Sequence, residues 1–333
     1  MLVIAGIHNL RILAPTGRGV HILDGMYITN EPAQVDKLLT RHLRLAIGGN
    51  ECVSMLTGGT AAYWKDLPNE PDVTKALQLL TMWLNWLRSF FMALWLVRDN
   101  SVNCELGFLE HDVPGQGVTH ESNFIAALFS NARGSTGSVA FSVEEVRQAA
   151  GYFKTFFLPV MFGMAPNTEF AAEVLPGKSA RPILISAKGV NRLSRLLYFL
   201  SAARSANDLG VKVSLYMTSF EIMFSTETTE LTHRLSERVA FFLYREPADR
   251  LAAYRRVKRG YNIRSKVIHG SVLSDSLQKE LADASGEIDE LLRQLVQKIA
   301  SDAAARQVFE MDDGKLEDYF TRLAIGMSLP EEV

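Results

Sequence analysis

The chain has 333 residues, of which 47% are hydrophobic and 22% charged, with a formal net charge of −2 and only two cysteines, Cys52 and Cys104. That composition belongs to a globular protein long enough to bury a sizeable core and, at roughly 150 residues per domain, to form two domains. It excludes a disulfide framework and a four-cysteine zinc centre, and it fits a reducing cytoplasm.

The opening stretch, MLVIAGIHNLRILAP, has no basic lead and is interrupted by His8 and Arg11, so it does not read as a secretory signal. Short apolar runs at Gly19–Ile28 and Cys104–Glu110 predict strands, and helical periodicity appears in Val35–Ile47 and Val73–Val97. The part from Leu77 to Val97 has the length of a membrane span. Gln78, Asn85 and Arg88 interrupt it, and an arginine near the middle of a span costs about 2.5–3.5 kcal/mol. A buried helix of a soluble domain is therefore expected, with no membrane partner. Ser142-x-x-Glu145 forms a capping box ahead of a helix over Val146–Phe157, and Pro159 is the expected stop.

Residues 161–181 carry prolines and glycines without a clear period and mark a linker. Beyond it the predicted helices are Ile183–Ser205, Lys212–Phe224, Glu227–Tyr244, Ala248–Lys258, Ile263–His269, Ser276–Ala300 and Gly314–Ala324. In Glu227–Tyr244 the apolar positions Leu231, Leu235, Val239 and Phe242 step by four, four and three, one core-facing stripe. The expected fold is mainly α: an α+β domain over 1–160, a sensor or regulator of unassigned role, then a helical bundle over 182–326.

Charge is distributed unevenly. Residues 1–177 sum to −4, residues 178–266 to +10 and residues 267–333 to −8. A basic zone inside a near-neutral protein is the footprint of a polyanion partner. Phosphate-loop and metal signatures are missing: Gly58-Gly59-Thr60 has no following Lys-Ser/Thr, and neither His111-Asp112 nor His120-Glu121 has HExxH spacing. No metal and no cofactor is expected.

The basic zone ends in Arg259-Gly-Tyr-Asn-Ile-Arg264-Ser-Lys-Val-Ile-His269-Gly270. Gly260 is read as breaking one helix, Asn262 as capping the next and Gly270 as ending it. Arg264 and His269 then stand five residues and about 140° apart around a short helix, so they do not share a face.

The string Y-x-I-R-S-K-x-x-H-G, here Tyr261 to Gly270, resembles the signature of HEPN domains, specifically the Apea-like group. Phe220-Glu221-Ile222-Met223-Phe224 is similar to that group's A-L-E-x-L-F stretch. Glu230-Leu231-Thr232 and Ser236-Glu237-Arg238-Val239-Ala240 follow at matching spacing, and Arg192 and Arg195 open the first helix as in that group. The likeness covers about 110 residues and does not extend to 1–177 with equal specificity. Where many active members carry Asn, Asp or His after the motif arginine, this chain has Ser265.

The resemblance implies a helical bundle acting as a metal-independent endoribonuclease, a toxin or antiviral defence effector that works as a homodimer. His269 would serve as base or acid and Arg264 would stabilise the phosphorane. Glu221 and Ser265 would support them. Lys266, Arg259, Lys258, Arg256 and Arg255 would follow the RNA backbone, and Tyr261 would stack on a base. Products would be a 2′,3′-cyclic phosphate and a 5′-OH. Further partners implied are an antitoxin or a phage-derived trigger. Two other readings stand beside it: a non-catalytic HEPN module that binds RNA or a nucleotide, and a dimerising interaction protein.

Overall fold

The computed structural model describes residues 1–125, 128–162, 185, 189–226 and 231–328. The chain divides into two compact units, one formed by Met1–Phe129 with Thr136–Ile183 and the other by Ser130–Ser135 with Leu184–Val333. The fold is mainly helical with one six-stranded antiparallel sheet in the first unit. The expected linker lies outside the described residues from 163 onward.

The first unit is built on strands β1 (Leu2–Ile7), β3 (Val20–Leu23), β4 (Met26–Thr29), β5 (Thr60–Trp64), β6 (Leu106–Val113) and β7 (Gly117–Phe124). They lie in the order β3-β4-β5-β1-β6-β7, and β2 (Leu10–Ile12) pairs in parallel with β8 (Val139–Phe141) beside them. Strand β1 is central and buried almost throughout, which explains its unbroken apolar run. The predicted strand Gly19–Ile28 is a hairpin, turning at Gly25 with φ +74°.

Helices α1 (Pro32–Leu38), α2 (Arg41–Ile47) and α3 (Gly49–Leu56) cover one sheet face. Val35, Leu39, Leu43, Ile47 and Met55 pack there against Ile4, Ala61, Tyr63 and Phe108. The single period predicted over Val35–Ile47 is thus two helices, divided where the Thr40 hydroxyl accepts from the Leu43 N–H. Helix α4 (Val73–Val97) packs on the opposite face, where Gly107 admits Leu80 and Leu84. By length and composition α4 could cross a membrane, but 67% of its apolar window is buried inside the fold. Arg88 lies 4.9 Å over the Phe129 ring.

Helix α5 (Val143–Tyr152) starts with the predicted capping box. Pro159 does not stop the helical path. A π-helical turn over Phe153–Phe157 is followed by α6 (Leu158–Phe162), which contains the proline. The wider turn changes the hydrogen-bond ladder just before the residue that cannot donate to it.

The second unit is a bundle of α7 (Arg192–Ser205), α8 (Leu209–Phe224), α9 (Leu231–Leu243), α10 (Pro247–Ile268), α11 (Asp275–Ser301), α12 (Ala303–Val308) and α13 (Asp313–Ile325). Caps set the boundaries: Asn191 accepts from Ser194 N, Asp208 from Val211 N and Asp312 from Lys315 N. Helix α7 therefore begins well after the expected Ile183, of which the structure gives no description. The stripe predicted for α9 buries Leu235, Val239 and Phe242, and residues 227–230 of that expectation lie outside the described residues. Phe224, Phe242, Phe309 and Phe320 close one end of the core with ring centroids 5.1–6.4 Å apart. Ser130–Ser135 joins this unit through Ser130 N donating to Arg204 O and Ser285 Oγ donating to Ala132 O.

Candidate functional site

Helix α10 is continuous from Pro247 to Ile268, so the expected break at Gly260 and the expected cap at Asn262 are both corrected. Gly260 is buried in mid-helix. A Cβ there would come within 2.8 Å of Ile288 Cδ1 on α11 and of Met217 Sδ on α8. The glycine is present for close helix approach, which outweighs its roughly 1 kcal/mol helix-propensity penalty. The expected C-terminal stop does occur. His269 caps the helix, Gly270 takes φ +70°, the Gly270 N–H donates to Val267 O and the Ser271 N–H to Lys266 O.

Continuity of α10 fixes which residues share a face. Counted at 100° per residue, Arg255, Lys258, Arg259, Asn262, Lys266 and His269 fall within about 100° of arc over four turns. Arg255, Lys258, Asn262 and His269 are exposed, and Lys266 is half-buried. Arg264 lies on the other side, among the buried Val257, Gly260 and Ile263. There its Nη2 donates to Glu221 Oε2 on α8 at 2.9 Å, with Arg264 24% and Glu221 15% exposed. Burial pushes the Glu221 carboxyl above its ordinary range, and the Arg264 charge only partly opposes it. Glu221 Oε1 and Arg264 Nε are buried without a hydrogen-bond partner. Arg264 also lies 5.5 Å over the Tyr261 ring.

The motif arginine is thus a helix-to-helix tie, and the motif histidine is an exposed imidazole at the end of a basic stripe. No hydrogen bond or ion pair joins the two. Ser265 stands toward the stripe side rather than beside Glu221. Arg256 is on the flank, where its charge opposes the burial that raises the Tyr244 phenol.

A depression of about 570 Å³ opens between the stripe and the start of α9, lined by Thr232, Arg255, Lys258, Arg259, Tyr261, Asn262 and Ser265. Arg259 is fixed as one wall by Glu287 at 2.5 Å and Glu280 at 3.8 Å. Asn262 and Thr232 are additions to the residues expected from the sequence. The i, i+3/i+4, i+7 series starting at Arg255 reaches Asn262 once the helix runs unbroken through Gly260.

Much of the positive charge of 178–266 is neutralised within the unit. Arg192 pairs with Asp313, Arg234 and Arg238 with Glu317, and Arg259 with Glu280 and Glu287. All four acidic partners come from the acidic segment 267–333. Among the described residues of 178–266 the exposed cations are Arg255 and Lys258 on the α10 stripe and Arg245 before it.

Of the histidines of the first unit, His120 Nε2 meets Glu110 Oε2 of the neighbouring strand at 2.9 Å, and His111 Nδ1 lies 2.5 Å from the backbone carbonyl of Glu70 in the loop before α4.

No protein-family model, curated protein or solved structure matches the chain.

Proposed function

We propose that the protein is an RNA-binding, metal-independent endoribonuclease of the HEPN type, cytoplasmic and active as a homodimer. The observation that carries this reading is the placement of an exposed His269 at the end of one α10 face bearing Arg255, Lys258, Arg259 and Lys266. Cations spaced along about three turns follow a phosphate backbone, and an exposed imidazole at their end is placed to take or give a proton.

The chemistry is a transesterification. A base takes the proton of a 2′-OH, whose oxygen attacks the adjacent phosphorus. The P–O5′ bond breaks and an acid protonates the leaving oxygen. One chain brings one motif histidine, so a two-fold dimer that apposes two α10 ends supplies base and acid together. The stripe cations hold the phosphate. Cellular roles as a toxin or antiviral effector, with an antitoxin or phage-derived trigger, follow from the sequence resemblance and belong to the same proposal.

One observation favours a second reading, RNA binding without cleavage. Arg264 is tied to Glu221 and turned from His269, so the phosphorane would lack the motif arginine unless the pair opens.

The deciding experiment is RNA cleavage by the purified full chain in excess EDTA, beside His269→Ala. Cleavage to cyclic-phosphate ends that His269→Ala reduces at least about 100-fold supports the nuclease. Salt-dependent binding without products supports the binding module. A protein that binds no RNA at low salt overturns both.

A further inference from the structure

The depression beside the stripe has features that backbone binding alone does not need. It is an open, shallow depression that holds an aromatic ring and a side-chain amide. Phosphates are met by exposed cations on a convex surface, whereas an unstacked base needs a recess with an aromatic wall and hydrogen-bonding groups. Asn262 belongs to both surfaces. It lines the pocket and lies seven residues before His269 on the same face, about 20° away in rotation and about 10 Å along the axis. A strand whose phosphate sits at His269 therefore passes the pocket mouth with a neighbouring nucleotide.

The lining also selects among bases. Arg255, Lys258 and Arg259 donate hydrogen bonds and accept none, while Asn262, Thr232, Ser265 and Tyr261 can do both. A donor-rich wall suits an edge rich in acceptors. Guanine presents O6 and N7, and uracil presents carbonyl oxygens. Adenine and cytosine present an exocyclic amine where these bases present a carbonyl, which would set a donor against the cations.

We propose that the pocket formed by Thr232, Lys258, Arg259, Tyr261, Asn262 and Ser265 receives one unpaired keto base, guanine or uracil, of single-stranded RNA next to the phosphate held at His269. This rests on the reading of α10 as an RNA-binding helix and adds to it a strand type and a base preference. Arg259, held by Glu280 and Glu287, forms an ordered wall of the pocket.

The test uses the full chain carrying His269→Ala, so that the probe is not consumed, in EDTA. Fluorescence anisotropy measures binding of short single-stranded oligoribonucleotides made only of A and C, and of the same strands with one G or U. The keto-containing strand is expected to bind at least about tenfold more tightly, and a duplex of that strand is expected to lose the advantage. Adding Asn262→Ala or Lys258→Ala should narrow the gap between the two strands to within about twofold. Thermal melts matching the parent show that these exposed positions leave the fold intact. Equal affinity for both strands, or a preference that neither substitution changes, overturns the pocket assignment while leaving RNA binding standing. Failure to bind any RNA at low salt overturns the proposed function and this inference with it.

Discussion

The Arg264 guanidinium and the Glu221 carboxylate join α10 to α8 at 2.9 Å, on the side of α10 away from His269. Removing the arginine leaves a largely buried carboxylate without its counter-charge. Arg264→Ala is therefore expected to destabilise the second unit by roughly 2 kcal/mol, whatever happens to activity. Adding Glu221→Gln should recover much of that loss, because the orphaned charge is gone. Denaturant unfolding of the parent and the two variants decides it. An Arg264→Ala protein as stable as its parent would show that the pair carries no structural weight, and loss of activity could then be assigned to chemistry directly.

The exposed stripe makes a separable claim about salt. If Arg255 and Lys266 contact phosphates, each change to alanine should weaken RNA binding similarly for all sequences. Each should also lower the slope of log affinity against log salt by about one. Arg192→Ala, removing a cation already paired with Asp313, should not change that slope. Equal slopes for all three variants would remove α10 as the polyanion surface.

How much of this could be read from the residues depends on which forces decided each feature. The capping box at Ser142 and Glu145 and the helix stop at Gly270 were legible because both are local hydrogen-bond patterns. Gly260 misled for the opposite reason: its role is set by Ile288 and Met217, distant in sequence, which need the missing Cβ. On that one position depend the expected break, the expected cap at Asn262 and the expected short helix carrying Arg264 and His269, all of which the continuous α10 corrects. The angular separation of Arg264 and His269 survives because it depends only on spacing. The charge map was half legible. The +10 segment does hold the exposed stripe, yet several of its arginines pair with the acidic segment that follows, and sequence distance hides such pairing.

The same glycine gives a packing prediction. Alanine at 260 would gain helix propensity of up to about 1 kcal/mol. Its methyl would meet Ile288 and Met217 at 2.8 Å, and overpacking of this kind costs about 1–3 kcal/mol. Gly260→Ala should therefore lower the unfolding midpoint, and pairing it with Ile288→Val should restore part of the loss. A more stable Gly260→Ala protein would mean that the Ile288 and Met217 side chains turn aside without cost.

Acid sensitivity should trace to Glu317. Burial acts to raise its carboxyl, but hydrogen bonds from Thr226 and Arg238, with the charges of Arg238 and Arg234, more than offset this and hold it below the ordinary value of 4.5. A carboxylate lowered by folding contributes stability that is present above its unfolded value and lost as pH falls through its folded one. Glu221, raised by burial, has the opposite sign: its protonation favours the folded state as pH falls through its raised value toward 4.5. Glu317→Gln should therefore cost stability at neutral pH, where Arg234 and Arg238 lose their shared partner, and should flatten the acid limb of the unfolding curve. Following the second unit by near-ultraviolet circular dichroism from about pH 6 to about pH 3 separates the two carboxyls. An acid limb unchanged by Glu317→Gln would place the acid-labile group elsewhere. A limb that flattens in Glu317→Gln and steepens in Glu221→Gln would assign opposite signs to the two carboxyls, as their surroundings require.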